Sequence, residues 1–259
     1  MQTAIIGGTG VYDLVTGHES RTVNTPYGQV ELDISDLRGV EIIFLARHGK
    51  NHTAPPHLVN YRANMWALHA LGIKYVYATC AVGSCHADFK PGDIVLLKDF
   101  LDFTKTRPVT FYDGHEGVIH TTMSDPYCQN LRGLFMESAA AAGIRVAGDA
   151  TYVCTEGPRF ETAAEIKMFQ KIGGDVVGMT NVPEVTLAKE LGMCYAAVGI
   201  ITNWGTGFGD EPDHGKIMAA VEKNKTVLTD LFVKVFLHKE LTQRNCTCSG
   251  AVMKSLNKG

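Results

Sequence analysis

Short runs of apolar and β-branched residues alternate with amphipathic stretches along most of this chain, and this alternation is the strongest constraint on its fold. Such runs are typical of buried strands, whereas apolar residues three and four positions apart are typical of helices. Strands that alternate with helices build a mainly parallel or mixed sheet that is covered on both faces. We therefore predict an α/β fold with strands at Thr3–Ile6, Glu41–Ala46, Tyr75–Cys80, Asp93–Leu97, Ala150–Cys154, Asp175–Met179 and Cys194–Thr202.

The helical stretches carry end signals. We predict them at Tyr61–Leu71, Pro126–Ala142, Glu161–Ile172, Pro183–Leu191 and Pro212–Leu237. Four are followed by a glycine where a left-handed C-terminal cap belongs, at Gly72, Gly143, Gly173 and Gly192. Because 259 residues with one continuous pattern suit one large core, we predict a single domain at residues 1–240. A mixed central β-sheet flanked by helices forms this domain, and a polar, loosely ordered tail follows at residues 241–259.

Composition excludes several classes of protein. Apolar residues make up 45% of the chain, charged residues 20%, and the net charge is −3, which excludes disordered and fibrous chains. No stretch of eighteen apolar residues and no leader-like N-terminus is present, so we predict no membrane partner and a cytoplasmic location. Clustered Lys and Arg are missing, so we expect no nucleic-acid polymer as a partner.

The seven cysteines are scattered and do not form a disulfide framework. Cys246 and Cys248 form a C-x-C pair in the tail, but two thiols alone cannot complete a tetrahedral zinc site. We therefore expect reduced cysteines and no metal site.

Polar and cationic groups follow the first two strands. Gly7-Gly8-Thr9-Gly10 ends the first strand, and Arg47-His48 ends the second. Backbone N–H groups, a hydroxyl and a guanidinium at strand ends suit a small anion. A dinucleotide fingerprint needs a glycine where Asp13 stands, so nicotinamide binding is disfavoured, while a purely structural glycine turn stays open.

Two later segments also offer polar groups. The turn Glu156–Thr162 holds three ionisable residues between a strand and a helix, either as ligand contacts or as solvated charge that favours a helix N-terminus. Asn203 leaves an apolar strand, either as a buried amide or as a reader of a ligand. No serine elbow is present, so the pattern favours hydrogen bonding over a covalent nucleophile.

Six blocks in this order resemble the trimeric purine nucleoside phosphorylase and methylthioadenosine phosphorylase family. The resemblance implies the nucleoside phosphorylase fold and reversible phosphorolysis of a purine nucleoside, with inorganic phosphate as co-substrate and no metal or organic cofactor. The blocks are Gly7–Gly10, Leu45–Gly49, Val59–Asn64, Pro91–Val95, Glu156–Thr162 and Val177–Glu184.

The resemblance also implies roles for single residues. It places phosphate at Thr9, Arg47, His48, Cys80, Ala81 and Thr180, with Ala81 acting through its backbone N–H. It places the nucleoside at Phe160, Glu161, Met179, Asn203, Trp204 and Gly205. Glu161 and Asn203 resemble the base readers of the 6-oxopurine branch, and with His48 they form our predicted catalytic set.

The base readers decide the predicted substrate. Methylthioadenosine phosphorylases of the family carry Ser at the position of Glu161 and Asp-x-Asp at Asn203-Trp204-Gly205. A 6-oxo group accepts hydrogen bonds and is repelled by an ionised Asp, so we predict inosine and guanosine as substrates. The blocks around Arg47 and Glu156 resemble the methylthioadenosine branch more closely, which keeps a phosphorylase of 5′-methylthioadenosine or 5′-methylthioinosine as the alternative. A non-catalytic nucleotide binder is the third hypothesis.

Two histidines complete the expectations. His214 lies where ribonucleoside-specific relatives bind the 5′-hydroxyl, although a surface histidine at a helix start fits equally well. His120 resembles a residue that a neighbouring subunit lends to the ribose pocket. The resemblance therefore implies a homotrimer or a dimer of trimers.

Overall fold

We describe the protein from a computed structural model, which covers residues 2–8, 19–50, 53–115, 117–242 and 246–254. Within these ranges the strands are Thr3–Gly7 (β1), Glu19–Thr25 (β2), Gly28–Leu37 (β3), Val40–Ala46 (β4), Tyr75–Ser84 (β5), Ile94–Phe103 (β6), Ile119–Thr121 (β7), Asp149–Thr155 (β8), Val176–Gly178 (β9), Cys194–Trp204 (β10) and Val252–Lys254 (β11). The α-helices are Tyr61–Ala70 (α1), Gln129–Ala141 (α2), Ala163–Lys171 (α3), Asn181–Glu190 (α4) and His214–Phe236 (α5).

Nine strands form one mixed sheet in the order β10-β6-β8-β9-β5-β1-β4-β3-β2. Because β10 also pairs with β5, the strands β5, β10, β6, β8 and β9 close into a ring, and the other four extend from β5. The pairs β1–β4, β1–β5 and β5–β10 are parallel, whereas β9 runs antiparallel to β5. This arrangement confirms the predicted α/β fold with a mixed central sheet.

Helices cover the sheet on two sides. On one side, α1 and α4 contribute buried residues such as Leu68 and Ala188 to the larger core. On the other side, α2 and α5 form a second core in which Phe232 stacks on Tyr77 of β5 at 4.6 Å between ring centres. The helix α3 packs Phe169 against Val153 in a smaller cluster.

The predicted elements are present with shifted ends. Each of the seven predicted strands and five predicted helices matches an observed one, and the four predicted cap glycines have φ between 67° and 88°. The β2–β3 hairpin and the short strands β7 and β11 were not predicted. The strand β2 has mostly exposed residues and therefore lacks an apolar pattern.

The expectation of a loosely ordered tail is wrong for its described residues. Leu241, Cys248 and Ala251 are buried, and β11 pairs antiparallel with β7. Apolar side chains too widely spaced to form a periodic pattern anchor this segment. The boundary between residues 1–240 and 241–259 stays a prediction. No helix in the described part of the chain has the length and apolarity needed to cross a bilayer.

Candidate active site

A cavity of about 270 Å³ opens where β1 and β4 end, beside the second halves of β5 and β10 and the end of β9. It brings together most of the residues that the sequence predicts for the site. These are Arg47, His48, Cys80, Ala81, Phe160, Glu161, Met179, Thr180, Asn203, Gly205 and His214. We call the part around Gly8, Arg47, His48, Ala81 and Thr180 the cationic end. The part around Phe160, Glu161, Asn203 and His214 is the open end.

Arg47 dominates the cationic end. It directly follows β4, is only 2% exposed, and donates from Nε and Nη2 to the two carboxylate oxygens of Glu184, both at 2.7 Å. Its Nη1 donates to the carbonyl of Thr79 at 2.8 Å. These three bonds leave one N–H on each terminal nitrogen for an anion in the cavity.

Glu184 is itself held by a buried hydrogen-bond chain. Tyr195 donates its hydroxyl to Glu184 at 2.6 Å and accepts from the Asn181 amide at 2.9 Å, and Tyr127 donates to the Asn181 carbonyl oxygen at 2.5 Å. Burial opposes the charged form of Arg47, but the Glu184 carboxylate holds the pKa of Arg47 well above its ordinary value. The guanidinium is therefore charged and fixed in orientation before any ligand arrives.

The strand β5 has an open edge at the cavity. It pairs with β1 as far as Ala78 and with β9 from Gly83, and no strand in the described part of the chain pairs with residues 79–82 on that side. Successive residues of a strand direct their N–H and C=O groups to opposite edges. Since the Thr79 carbonyl meets Arg47 on this edge, the N–H of Ala81 faces the same side. Ala81 thus offers a backbone donor to the cavity.

Thr180 and His48 complete the polar lining of the cationic end. Tyr152 accepts from the backbone N–H groups of Thr180 and Asn181 through its hydroxyl. The Thr180 side chain makes no capping bond to α4, so its hydroxyl is available to a ligand in the cavity. His48 bonds the Ala54 carbonyl through Nδ1 at 2.8 Å, which directs its ring. Cys80 lines the wall, and burial raises the pKa of its thiol to about 12, so it is no thiolate nucleophile.

Gly8 lies at the point of closest backbone approach. A Cβ here would lie 2.6 Å from the Thr79 carbonyl oxygen and 3.0 Å from Arg47 Nη1. Its N–H donates to the Thr79 hydroxyl at 3.0 Å. Only glycine therefore allows the end of β1 to approach β5 this closely. Thr9, the predicted phosphate ligand, lies outside the described residues.

The turn from Glu156 to Thr162 separates its three ionisable groups. Glu156 binds the backbone N–H of Lys105 and the hydroxyl of Thr106, which anchors the turn. Arg159 points outward and pairs with Glu165 of α3 at 2.7 Å. The third group, Glu161, turns into the cavity, so one of the three is available to a ligand.

Glu161 is a buried carboxylate that accepts a hydrogen bond from a neutral hydroxyl. It is 7% exposed and accepts a hydrogen bond from the Thr155 hydroxyl at 2.7 Å. Burial raises the pKa of Glu161 above its ordinary value, and the Thr155 hydroxyl offsets part of that rise. An N–H donor from a ligand would relieve the cost of this buried charge.

Asn203 forms hydrogen bonds with its two neighbours in sequence. Its oxygen accepts from the Thr202 hydroxyl at 2.7 Å, and its nitrogen donates to the Trp204 carbonyl at 2.8 Å. The second amide hydrogen is left for a ligand. Trp204 does not line this cavity; its ring packs against Phe208 and borders the adjoining pocket. The predicted contact of Trp204 with substrate stays a prediction.

Met179 and His214 also line the cavity. A Cβ on Gly157, which has φ 66°, would lie 2.7 Å from Met179 Sδ, so the glycine lets Met179 cover this wall. His214 is exposed at the first residue of α5, and Ile217 lines the cavity one turn later. His120 lies on β7, paired opposite Met253, and does not line the cavity of its own chain.

Sequence reasoning did not assign roles to Glu184, Thr79 or Arg107. Arg107 is buried and donates to the carbonyls of Glu156 and Val182, which ties the turn to the start of α4. Glu184 is the last residue of the block Val177–Glu184, which resembles the family, and this resemblance could have pointed to a role for Glu184. In the described residues, one group of side chains could hold a metal: Cys128, Cys194, Cys246 and Cys248, none of which lines the cavity.

A model of the phosphorylase superfamily matches residues 2–237. The chain belongs to the phosphorylase superfamily. This confirms the resemblance drawn from the six sequence blocks, and the matched residues include every described part of the cavity.

Individual relatives span almost the whole chain. A probable 6-oxopurine nucleoside phosphorylase of Moorella thermoacetica is 50% identical over 98% of this chain and 99% of its own. The S-methyl-5′-thioadenosine phosphorylase of Pyrococcus furiosus is 44% identical over 97% of each. A methylthioadenosine phosphorylase from an antarctic soil metagenomic library has a similar structure, with a TM-score of 0.88, 33% identity and coverage of 97% of this chain and 91% of that one.

Proposed function

We propose that the protein catalyses reversible phosphorolysis of 6-oxopurine nucleosides, converting inosine or guanosine and phosphate to the free base and ribose 1-phosphate. The observation that carries this proposal is one cavity with a fixed guanidinium at one end and a carboxylate beside an amide at the other. The Moorella thermoacetica relative, named for this activity, supports it.

The geometry suggests how the reaction is promoted. Phosphate held by Arg47, Ala81 N–H and Thr180 attacks C1′ of the ribose, and the bond from C1′ to N9 of the base breaks. Positive charge develops on the sugar and negative charge on the purine. The bound phosphate stabilises the first, and the free amide hydrogen of Asn203 stabilises the second. The departing purine anion takes a proton from solvent water, and no protein nucleophile is needed.

The base preference follows from donors and acceptors. A 6-oxopurine carries a hydrogen on N1, which Glu161 accepts, and an oxygen at position 6, which the Asn203 amide can meet. Adenine has a bare N1, so the Glu161 carboxylate would face a lone pair. The buried charge of Glu161 would then stay unpaired, which disfavours adenosine.

The second candidate, a phosphorylase of 5′-methylthio nucleosides, rests on Ile217. This aliphatic residue lines the cavity on the same face of α5 as His214, and it could pack against a methylthio group. The Pyrococcus furiosus relative also supports this reading.

Phosphate-dependent release of free base from inosine, guanosine, adenosine, 5′-methylthioinosine and 5′-methylthioadenosine tests both proposals. We expect the highest kcat/KM with inosine or guanosine, and no release without phosphate or arsenate. Glu161→Gln should lower this activity by about 10- to 100-fold, whereas Glu165→Gln, a change of the same kind at a more exposed position of the same segment, should keep it. Activity on methylthio substrates alone would support the second candidate. No turnover of any purine nucleoside would leave only a binding role.

We also propose that His120 serves a neighbouring subunit in a homotrimer or a dimer of trimers. Two variants that should each lower activity, His120→Ala and Glu161→Gln, test this when they are co-assembled. If His120 acts across an interface, mixed oligomers contain sites with both native residues and regain activity. Lack of complementation in verified mixed oligomers would contradict the proposal. The cytoplasmic location stays a prediction.

A further inference from the structure

Four cysteines from three separate segments of the chain meet in and beside the second core, which α2 and α5 form. Cys128 immediately precedes α2, Cys194 opens β10, and Cys246 and Cys248 belong to the C-terminal segment. Their four sulfur atoms all lie within 4.8 Å of one another, and the Sγ atoms of Cys194 and Cys246 are 3.4 Å apart. All seven cysteines of the chain are unbonded thiols in the structure.

This spacing matches a tetrahedral thiolate site. Four sulfurs bound to Zn²⁺ at about 2.3 Å are about 3.8 Å from one another, which lies within the observed spread. Little movement is needed to bring the four sulfurs to a common centre. Cys128 and Cys248 are fully buried, and Cys194 and Cys246 are partly buried, so an ion there would be largely shielded from water.

The surroundings offset the charge of such a site. One Zn²⁺ and four thiolates carry two excess negative charges. Cys128 is the N-cap residue of α2, which places it at the positive end of the helix dipole. Lys189 is buried and acts electrostatically on Cys248. Outer groups of this kind stabilise metal-bound thiolates.

We propose that Cys128, Cys194, Cys246 and Cys248 form a structural binding site for one Zn²⁺ ion per chain. The four thiols lose their protons to solvent as four Zn–S bonds form, and no oxidant or reductant takes part. The expectation of no metal site considered only the C-x-C pair, and the fold supplies the two remaining ligands. With four protein ligands the ion has no open position, so its role is structural.

The site would join the C-terminal segment to the body of the fold. Residues 246 and 248 lead directly into β11, which pairs with β7 and therefore with His120. A metal at the four cysteines would fix the path of this segment across β10 and the start of α2. Loss of the ion should therefore loosen β11 and β7 before the central sheet.

Metal binding to the intact chain is the first test. We expect purified protein, kept in a non-thiol reductant, to contain one zinc per chain by elemental mass spectrometry. After chelation, titration with Co²⁺ alone should give the absorption of tetrahedral cobalt thiolate and saturate at one equivalent. Hydrogen exchange should accelerate in residues 246–254 and in β7 on chelation.

Variants locate the site. Cys246→Ser with Cys248→Ser should lose the cobalt signal, whereas Cys154→Ala, which removes a buried thiol outside the cluster, should keep it. If the double variant does not fold, the cobalt titration of the native chain still decides, because its charge-transfer intensity scales with the number of thiolates. Retained binding in a folded double variant would overturn the proposal. So would seven free thiols with no bound metal, or a mass loss that shows disulfides in place of the metal.

Discussion

The two ends of the cavity are built in different ways. At the cationic end, Arg47 and Glu184 are fully buried and are locked by a chain of side-chain hydrogen bonds. At the open end, Asn203 bonds only its sequence neighbours, and Phe160 is 53% exposed. Anion binding is thus preorganised by the core, whereas base contacts lie on a turn, a strand end and a helix start. This division allows substrate preference to change while the anion site stays intact.

The largest effect is expected from Glu184→Gln. The change leaves the buried Arg47 charge without its partner, so the free energy of unfolding should fall by about 3–5 kcal/mol. The guanidinium can then rotate, and kcat/KM for phosphate should fall by about 10²-fold. Chemical denaturation and phosphate-dependent kinetics measure the two effects.

The exposed pair of Arg159 and Glu165 provides the matched control. It has the same two-point geometry, with contacts at 2.8 and 2.7 Å, but its side chains are 63% and 32% exposed. Glu165→Gln should therefore cost at most about 1 kcal/mol of stability. Equal losses of unfolding free energy in Glu184→Gln and Glu165→Gln would show that burial does not make the Arg47–Glu184 pair more stabilising than the exposed pair.

Sequence and structure differ most where a contact joins distant residues. Arg47, Thr180 and Asn203 were predictable as polar groups because each lies at the end of a predicted strand, whereas Ala81 was predicted from the resemblance to the family. Glu184 was not predicted, because nothing local distinguishes a buried carboxylate from an ordinary acid in the first turn of a helix.

The strands that were not predicted differ in how much signal their sequences carry. In β3, Val30, Leu32 and Ile34 alternate with polar residues, and this signal could have revealed the hairpin. By contrast, β7 and β11 are three residues long and show no period. The four cysteines are separated by up to 120 positions in sequence, and only the fold shows that they meet.

Asn203→Asp tests whether the open end of the cavity contacts the base. A carboxylate facing the 6-oxo side of the base repels the charge that develops there, so kcat/KM for inosine should fall on the order of 10² or more. Stability should change little, because Asn203 is only partly buried. Adenosine cleavage should rise relative to inosine cleavage. Unchanged inosine kinetics would remove Asn203 from the base site.

Glu161 should link substrate binding to pH. Only the ionised carboxylate accepts a hydrogen bond from N1–H, and burial raises the pKa of Glu161. Inosine kcat/KM should therefore fall, as pH decreases, at a pH above the ordinary glutamate value of 4.5. Glu161→Gln should lower kcat/KM at neutral pH by about 10- to 100-fold, the loss of a hydrogen bond to a charged group.

The same pKa shift predicts an opposite effect on stability. A carboxyl group with a raised pKa in the folded state stabilises the protein below its unfolded pKa, and this contribution is lost as pH rises through the folded value. At neutral pH the buried charge is therefore a cost, and Glu161→Gln should raise Tm while it lowers activity. A lower Tm with a flat pH profile would contradict both expectations.

The smallest effect is expected at His214, because this side chain is exposed at the rim of the open end. If His214 donates to the 5′-hydroxyl, His214→Val removes one solvent-accessible hydrogen bond. The loss of transition-state stabilisation should be about 1 kcal/mol, so kcat/KM for inosine should fall about fivefold. A methylthio group cannot use that bond and gains an apolar neighbour next to Ile217, so 5′-methylthioinosine should be spared or improved. The ratio of the two kcat/KM values is the deciding measurement, because a general disturbance of α5 would lower both together. Parallel changes would assign His214 to the surface, and selection at the 5′ position would then have to come from other residues of the cavity.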